Sequence, residues 1–145
     1  MNIDIKFDAS KLINATKKEP MIALQEINNA IKKSALKVQS LSQRNAPVNT
    51  GALRQSIASR FEPLKGIVEV FAKYAIYVHE GTRPHDIYPV NKKALANVRK
   101  GLMFGKHVKH RGSKPNPFMK RSSDQATPFI TNYFKTALDN ILRRI

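Results

Sequence analysis

Ala46-Pro47-Val48-Asn49-Thr50-Gly51-Ala52-Leu53-Arg54-Gln55-Ser56-Ile57 is the stretch around which this 145-residue chain is arranged. A long amphipathic pattern stops just before it, and strand-like hairpin signals begin just after it. Pro47 cannot continue a helix and pushes Ala46 out of the helical region. Asn49 or Thr50 can cap a new short helix, because their side-chain oxygens accept from the orphan amides of a first turn. Gly51 lets the backbone turn tightly, and Leu53 and Ile57 fall on one face at i, i+4. The twelve residues predict a helix–corner–helix joint. Pro, Asn and Gly are also ordinary turn punctuation, so by themselves they describe a well-made corner.

Upstream, Pro20 suits the first position of a long helix. From there Leu24, Ile27, Ile31, Ser34, Val38 and Leu41 recur at spacings of three and four. They form one narrow apolar seam, with Lys32, Lys33, Lys37 and Gln39 turned away from it. Such a seam packs against a sheet of the same chain or against a neighbouring subunit. Residues 3–7 alternate apolar and polar and predict a half-buried strand. Asp8 or Ser10 is placed to cap a short helical turn through Leu12 and Ile13 to Lys17-Lys18.

Downstream, Ile57–Phe61 and Ile67–Ala72 favour strand, and Pro63-Leu64-Lys65-Gly66 between them predicts a hairpin turn. Tyr74, Tyr77 and Val78 then share a face of one or two helical turns, with Gly81 as its C′ residue. Their tyrosine rings are expected to pack apolarly. Residues 82–116 are the least regular: a loop through Pro89, an edge strand at Tyr88–Val90, a short helical piece at Lys92–Lys100, a strand at Leu102–Val108, and a loop from His110 to Pro115. Asn116-Pro117 is a good helix start, as cap and first position. Pro128 is expected to kink or restart that helix, whose face Ile130, Tyr133, Phe134, Ala137, Leu138, Ile141 and Leu142 is expected to cover the sheet. The fold class is α+β: a small, mainly antiparallel sheet packed by two long helices, with a basic irregular segment. By length the chain, residues 1–145, is one domain, with 82–116 a flexible basic loop region.

Composition narrows the function. With no Cys there is no disulfide framework, thiol nucleophile or thiolate metal site. Hydrophobic content is 41% and mean hydropathy −0.41, which fits a domain that completes its burial against partners. No window approaches the roughly 18 apolar residues of a membrane span, and Met1-Asn2-Ile3-Asp4-Ile5 lacks the apolar core of a signal peptide. A cytosolic site of synthesis is expected, with no membrane partner.

The formal net charge of +16 calls for an anionic partner: an acidic assembly neighbour or nucleic acid. The charge is segmental. Arg83 to Arg121 holds eleven Lys/Arg against one acid, Asp86, whereas the other 106 residues hold fifteen basic and nine acidic side chains. Lys92, Lys93, Arg99, Lys100, Lys106, Lys109, Arg111 and Lys114 are the candidate contacts to a polyanion or acidic partner. They are interleaved with Tyr88, Phe104 and Phe118 and with Gly101, Gly105 and Gly112, a pattern that can follow a phosphate backbone without reading sequence. The bland alternative is solvated surface, which a charge run usually is.

The histidines fall as His79/His85 and His107/His110, with Glu80 and Asp86 the nearest further ligands. The cationic surroundings oppose a divalent metal, so no metal site is assigned. His79 beside Glu80 is the one candidate acid/base pair, but adjacent helical side chains diverge and no nucleophile accompanies them. No catalytic residue is assigned, and no cofactor.

Three stretches also resemble, in order, the signature segments of a known family. They are Ala46-Pro47 through Thr50-Gly51 to Leu53-Arg54 and Ser56-Ile57; Tyr74-Ala75-Ile76-Tyr77-Val78-His79-Glu80-Gly81-Thr82; and Lys114-Pro115-Asn116-Pro117-Phe118-Met119. The family is that of minor tail components of tailed bacteriophages: neck, tail-completion or head–tail joining proteins of long-tailed phages. The likeness covers most of the chain. Asn49 stands where many relatives have Asp, which keeps capping ability and loses a charge.

That resemblance implies a mixed fold and a structural role for Pro47, Thr50, Gly51, Leu53, Arg54, Tyr74, Tyr77, Gly81, Thr82, Pro115, Asn116, Pro117 and Phe118. It implies a virion protein of the head–tail junction, assembled in the bacterial host cytoplasm as a homo-oligomeric ring. Neighbouring connector and tail proteins are its expected partners, genomic DNA in the channel a further one, and no small-molecule substrate is expected. The runner-up roles are a tail terminator, a non-specific nucleic-acid-binding protein and a small nuclease using His79.

Overall fold

The computed structural model describes residues 1–6, 20–91, 93–97 and 100–144. Its elements in chain order are β1 (Asn2–Lys6), α1 (Pro20–Asn45), α2 (Ala52–Gln55), β2 (Ile57–Glu62), β3 (Lys65–Val70), α3 (Ala75–Glu80), β4 (His85–Ile87), β5 (Leu95–Asn97), β6 (Leu102–Gly105), β7 (Val108–His110) and α4 (Phe118–Leu142). The class is α+β, as the sequence predicts. The chain forms two compact units, Met1–Ala75 with Pro117–Ile145, and Ile76–Asn116. The helical turn expected through Leu12 and Ile13 lies outside the described residues.

The first unit is built on α1. An antiparallel sheet of order β1-β3-β2 lies against one side of it, and α4 runs along it on another. Ala23, Ile27, Ala30, Ile31, Ser34, Ala35, Val38, Leu41 and Ser42 are all buried. The buried face is therefore wider than the narrow seam expected, and its added width is Ala and Ser. Small side chains let neighbouring backbones come close, and the large Ile residues fill the space on either side. Burying each Ile contributes on the order of 1.5–3 kcal/mol. Within the helix pair it is α1 that meets the sheet and α4 that covers α1. The two are antiparallel: Asn140 donates to Glu26 near one end, and Asn45 donates to Ser122 and Gln125 near the other.

Gly66 shows how tight the helix–sheet contact is. A Cβ at this position would lie 3.0 Å from the Ala35 Cβ and 3.1 Å from the Ile31 Cγ2. It is thus a strand glycine of close approach, not the turn residue expected. The hairpin turns on Pro63 and Leu64 alone, and Leu64 takes a left-handed φ of 56° where Gly or Asn would ordinarily sit. Its amide donates to Asn28 Oδ1 at 2.8 Å, and its side chain packs on Ala23, Ile27, Ile31 and Ile141. Those contacts offset the roughly 1 kcal/mol or more that a left-handed conformation costs a branched residue.

Three side chains expected to point away from the seam, Lys32, Lys37 and Gln39, instead make contacts, with the Lys32 ammonium 5.8 Å from the centre of the Phe61 ring. Gln39 donates to the Ile57 carbonyl and accepts from Ser59 Oγ, tying the helix to β2, and Gln43 donates to the same carbonyl. The Lys37 ammonium sits 3.9 Å over the Phe129 ring. The long stems of Gln and Lys can reach back over a neighbouring element, which a seam count misses.

The corner is a single turn, not a second helix of useful length. α1 ends with the Ala46 amide on the Ser42 carbonyl, Gly51 takes φ +83°, and α2 stops at Gln55. Thr50 Oγ1 accepts from the Ala52 amide at 3.4 Å, a long cap. Leu53 and Ile57 are both buried as expected, but Ile57 already begins β2. α4 starts one residue later than expected, with Pro117 in the capping position and no side-chain cap from it. The helix then continues through Pro128, which lies exposed, so water can take the bond that the missing N–H leaves unmade.

Candidate interaction surface

The second unit is an excursion that leaves at Ile76 and ends at Asn116. α3 ends at Gly81, whose φ of +76° stops the helix as its C′ residue should. Directly after it Thr82 bridges Ser113 with reciprocal backbone bonds of 3.0 and 3.1 Å, reinforced by a 3.0 Å contact between the two hydroxyls. The Asn116 amide donates to the carbonyls of Val78 and His79. A Cβ on Gly81 would lie 2.5 Å from the Ser113 carbonyl oxygen, and one on Gly112 would fall on the Thr82 carbonyl. The second and third motif stretches thus form one clamp that closes the base of the excursion.

Within the excursion the expected loops are short ladders. β4 pairs β7, with His85 opposite His110, Asp86 opposite Lys109 and Ile87 opposite Val108. β5 pairs β6, with a register shift between Leu95 and Ala96. Tyr88–Val90 is not a strand, the middle of the expected helix at 92–100 is β5, and the expected strand at 102–108 is broken at Lys106-His107. Gly101, Gly105 and Gly112 take φ of +63°, +81° and +81° and supply these reversals. Short strands linked by glycines carry too few residues for a period-two pattern to register.

The histidines pair differently from their order in sequence. The rings of His85 and His110 stand 5.0 Å apart across the ladder. His107 Nε2 lies 2.8 Å from Asp86 Oδ1 and its ring stacks on Tyr88 at 4.9 Å. His79 Nδ1 lies 2.6 Å from Glu80 Oε1, although side chains at adjacent helical positions were expected to diverge. Glu80 is the last residue of α3 and largely exposed, so its long side chain can fold back. Among the described residues no group of three or more His, Asp and Glu converges as a metal cage would require.

The cationic candidates Lys93, Lys100, Lys106, Lys109, Arg111 and Lys114 are all exposed, and Lys92 and Arg99 lie outside the described residues. Lys93 precedes β5, Lys100 sits in the β5–β6 turn, Lys106 follows β6, and Lys109 stands on β7. Among the described residues none of the six makes an ion pair. The unit holds nine Lys/Arg against Glu80 and Asp86, and none of its described residues is buried.

The motif residues divide between core and surface. Leu53 and Phe118 are buried, whereas Pro47, Thr50, Arg54, Tyr74, Tyr77 and Pro115 are exposed. Tyr74 and Tyr77 do not pack as expected, because Ala75 takes the buried position of that short helix. Phe118, grouped with the basic loop by sequence proximity, is fully buried in the first unit. Sequence reading passed over the aliphatic exposure of the excursion. Val90 is 93% exposed and Met103 77%, with Leu102 and Phe104 about half exposed. Apolar residues inside a run with no regular period were the available signal.

In comparisons with known proteins, no family, curated relative or solved structure matches this chain.

Proposed function

We propose that this chain is a structural protein of a bacteriophage head–tail junction, which completes the neck or tail so that the two can join. It acts by binding, without catalysis. The observation that carries this is the second unit: nine basic residues, no ion pair on its described cationic candidates, and no buried residue among those described. Such a unit has its contacts still to make. The three motif stretches lend further support, since one forms the corner of the first unit and two close the clamp. A closed ring of copies is the expected assembly, because tails and connectors have cyclic symmetry. Partners are neighbouring connector and tail proteins, with DNA passing nearby.

Deleting the gene from the genome that encodes it, and complementing with a variant carrying Lys93→Glu, Lys100→Glu, Lys106→Glu and Lys109→Glu, tests this. Electron microscopy should find heads and normal-length tails accumulating unjoined. Tails of unregulated length would make it a tail terminator instead, and normal joining by the variant would overturn the basic contact.

The Tyr88–His107 stack beside Lys109 favours one second reading, non-specific nucleic-acid binding. It requires affinity for free DNA that falls with salt by a log–log slope of about 0.7–0.9 per phosphate contact.

A further inference from the structure

The β5–β6 hairpin and the loop before it leave an apolar surface that no described residue covers. Leu102, Met103, Phe104 and Gly105 are exposed along the whole of β6. Met103 pairs with Ala96 and Leu102 with Asn97, so apolar side chains stand on both faces of the ladder. Val90 and Leu95 line one shallow groove of about 300 Å³ beside it. A two-stranded ladder alone is marginal in water and gains stability from a further packed layer. Cations stand at both ends of the hairpin: Lys100 at the turn, its amide on Asn97 Oδ1, and Lys93 and Lys106 at the open end.

We propose that this hairpin docks an acidic protein, whose apolar residues close over both faces of β6 at Leu102, Met103 and Phe104 while its carboxylates meet Lys93, Lys100 and Lys106. The inference rests on the assembly reading above and names the chemistry of the partner. Nucleic acid fits less well, because Val90, Leu102 and Met103 gain nothing from a phosphate backbone. A second copy also fits less well. The chain carries +16, and the carboxylates of Asp4, Glu62 and Glu69 already have Lys6, Arg60 and Lys65 beside them.

The test is fluorescence anisotropy of the full chain with a labelled peptide alternating Glu with Leu and Val. The same peptide with Lys for Glu, an all-Glu peptide and oligothymidylate serve as comparators. The Glu/apolar peptide should bind at least about tenfold more tightly than each comparator. Leu102→Ser with Met103→Ser and Phe104→Ser should lose that preference with an unchanged melting curve. Lys93→Glu with Lys100→Glu and Lys106→Glu should transfer the preference to the Lys peptide. All-Glu peptide or oligothymidylate binding as tightly, and indifferent to the serine changes, would overturn the proposal in favour of a polyanion site. Self-association abolished by the serine changes would assign the surface to a second copy, and binding by none of the probes would remove it. Unjoined particles in the assembly assay with no peptide binding would sink the docking surface alone. Peptide binding with normally joined particles would sink the assembly role alone.

Discussion

The two units of this chain solve opposite problems, the first with strands of five or six residues and the second with strands of three or four. In the first, built on a three-stranded sheet and two long helices, eighteen of the described apolar side chains are buried, and Arg60 and Lys65 stand near the carboxylates of Glu62 and Glu69. In the second, two separate two-stranded ladders bury no described residue and leave their described lysines unpaired. A segment of about forty residues is near the limit below which a chain rarely buries a sufficient core by itself. The lesson is a division of labour: the first unit holds itself together, and the second is closed by a clamp at its base and leaves its apolar and cationic groups exposed.

The sharpest way to break this comparison is to remove one large side chain from each unit. Phe118 is fully buried, so Phe118→Ala should cost about 3–5 kcal/mol in a urea melt of the full chain. Leu102→Ser, on the exposed hairpin, should stay within about 0.5 kcal/mol. A comparable loss from the two would mean that the hairpin is packed in solution. The division of labour would then fail.

How much of this was legible in the sequence follows the same division. β1, α1, the β2–β3 hairpin and α4 were readable because each is long enough for its period to show, and the hairpin register follows from Ile57 to Val70. Gly66 was misread as a turn residue because sequence does not reveal what stands opposite a strand; only the approach of Ala35 and Ile31 explains it. The charge of the second unit was plain from composition. Its ladders were not, since strands of three or four residues set by Gly105 and Gly112 lack any period, and the pairing of His85 with His110 depends on register. The clamp is half legible: Gly81 and Asn116 are helix signals in the sequence, but the Thr82–Ser113 bridge and the bonds from Asn116 to Val78 and His79 required the fold.

Gly66→Ala sharpens the account of the first unit. The added methyl must push Ala35 or Ile31, and overpacking of this kind should cost about 1–3 kcal/mol, read as a lower urea midpoint. Gly81→Ala is its counterpart in the second. The left-handed φ alone costs an L residue about 1–2 kcal/mol, and the methyl also meets the Ser113 carbonyl. The expected effect is local: limited trypsin should cut among Lys93, Lys106 and Lys109 much faster, while the urea midpoint of the first unit hardly moves. A large drop in that midpoint would show the two units unfolding together, contrary to the division drawn here.

The smallest expected change has the opposite sign. Ser42 is fully buried on α1, and its hydroxyl has no hydrogen-bond partner among the described residues, unlike Ser34 on Ala30 and Ser122 on Phe118. A buried hydroxyl without a partner keeps its desolvation cost, so Ser42→Ala should stabilise the chain by up to about 1 kcal/mol. Ser34→Ala loses a bond along with the hydroxyl and should be close to neutral or mildly destabilising. The order of the two urea midpoints is therefore the readout. Ser42→Ala above the parent and above Ser34→Ala would show that close approach of helices, not polarity, selects a small residue there. The reverse order would mean that the Ser42 hydroxyl finds a partner in solution, and the small-residue face of α1 would then owe part of its stability to hydrogen bonding.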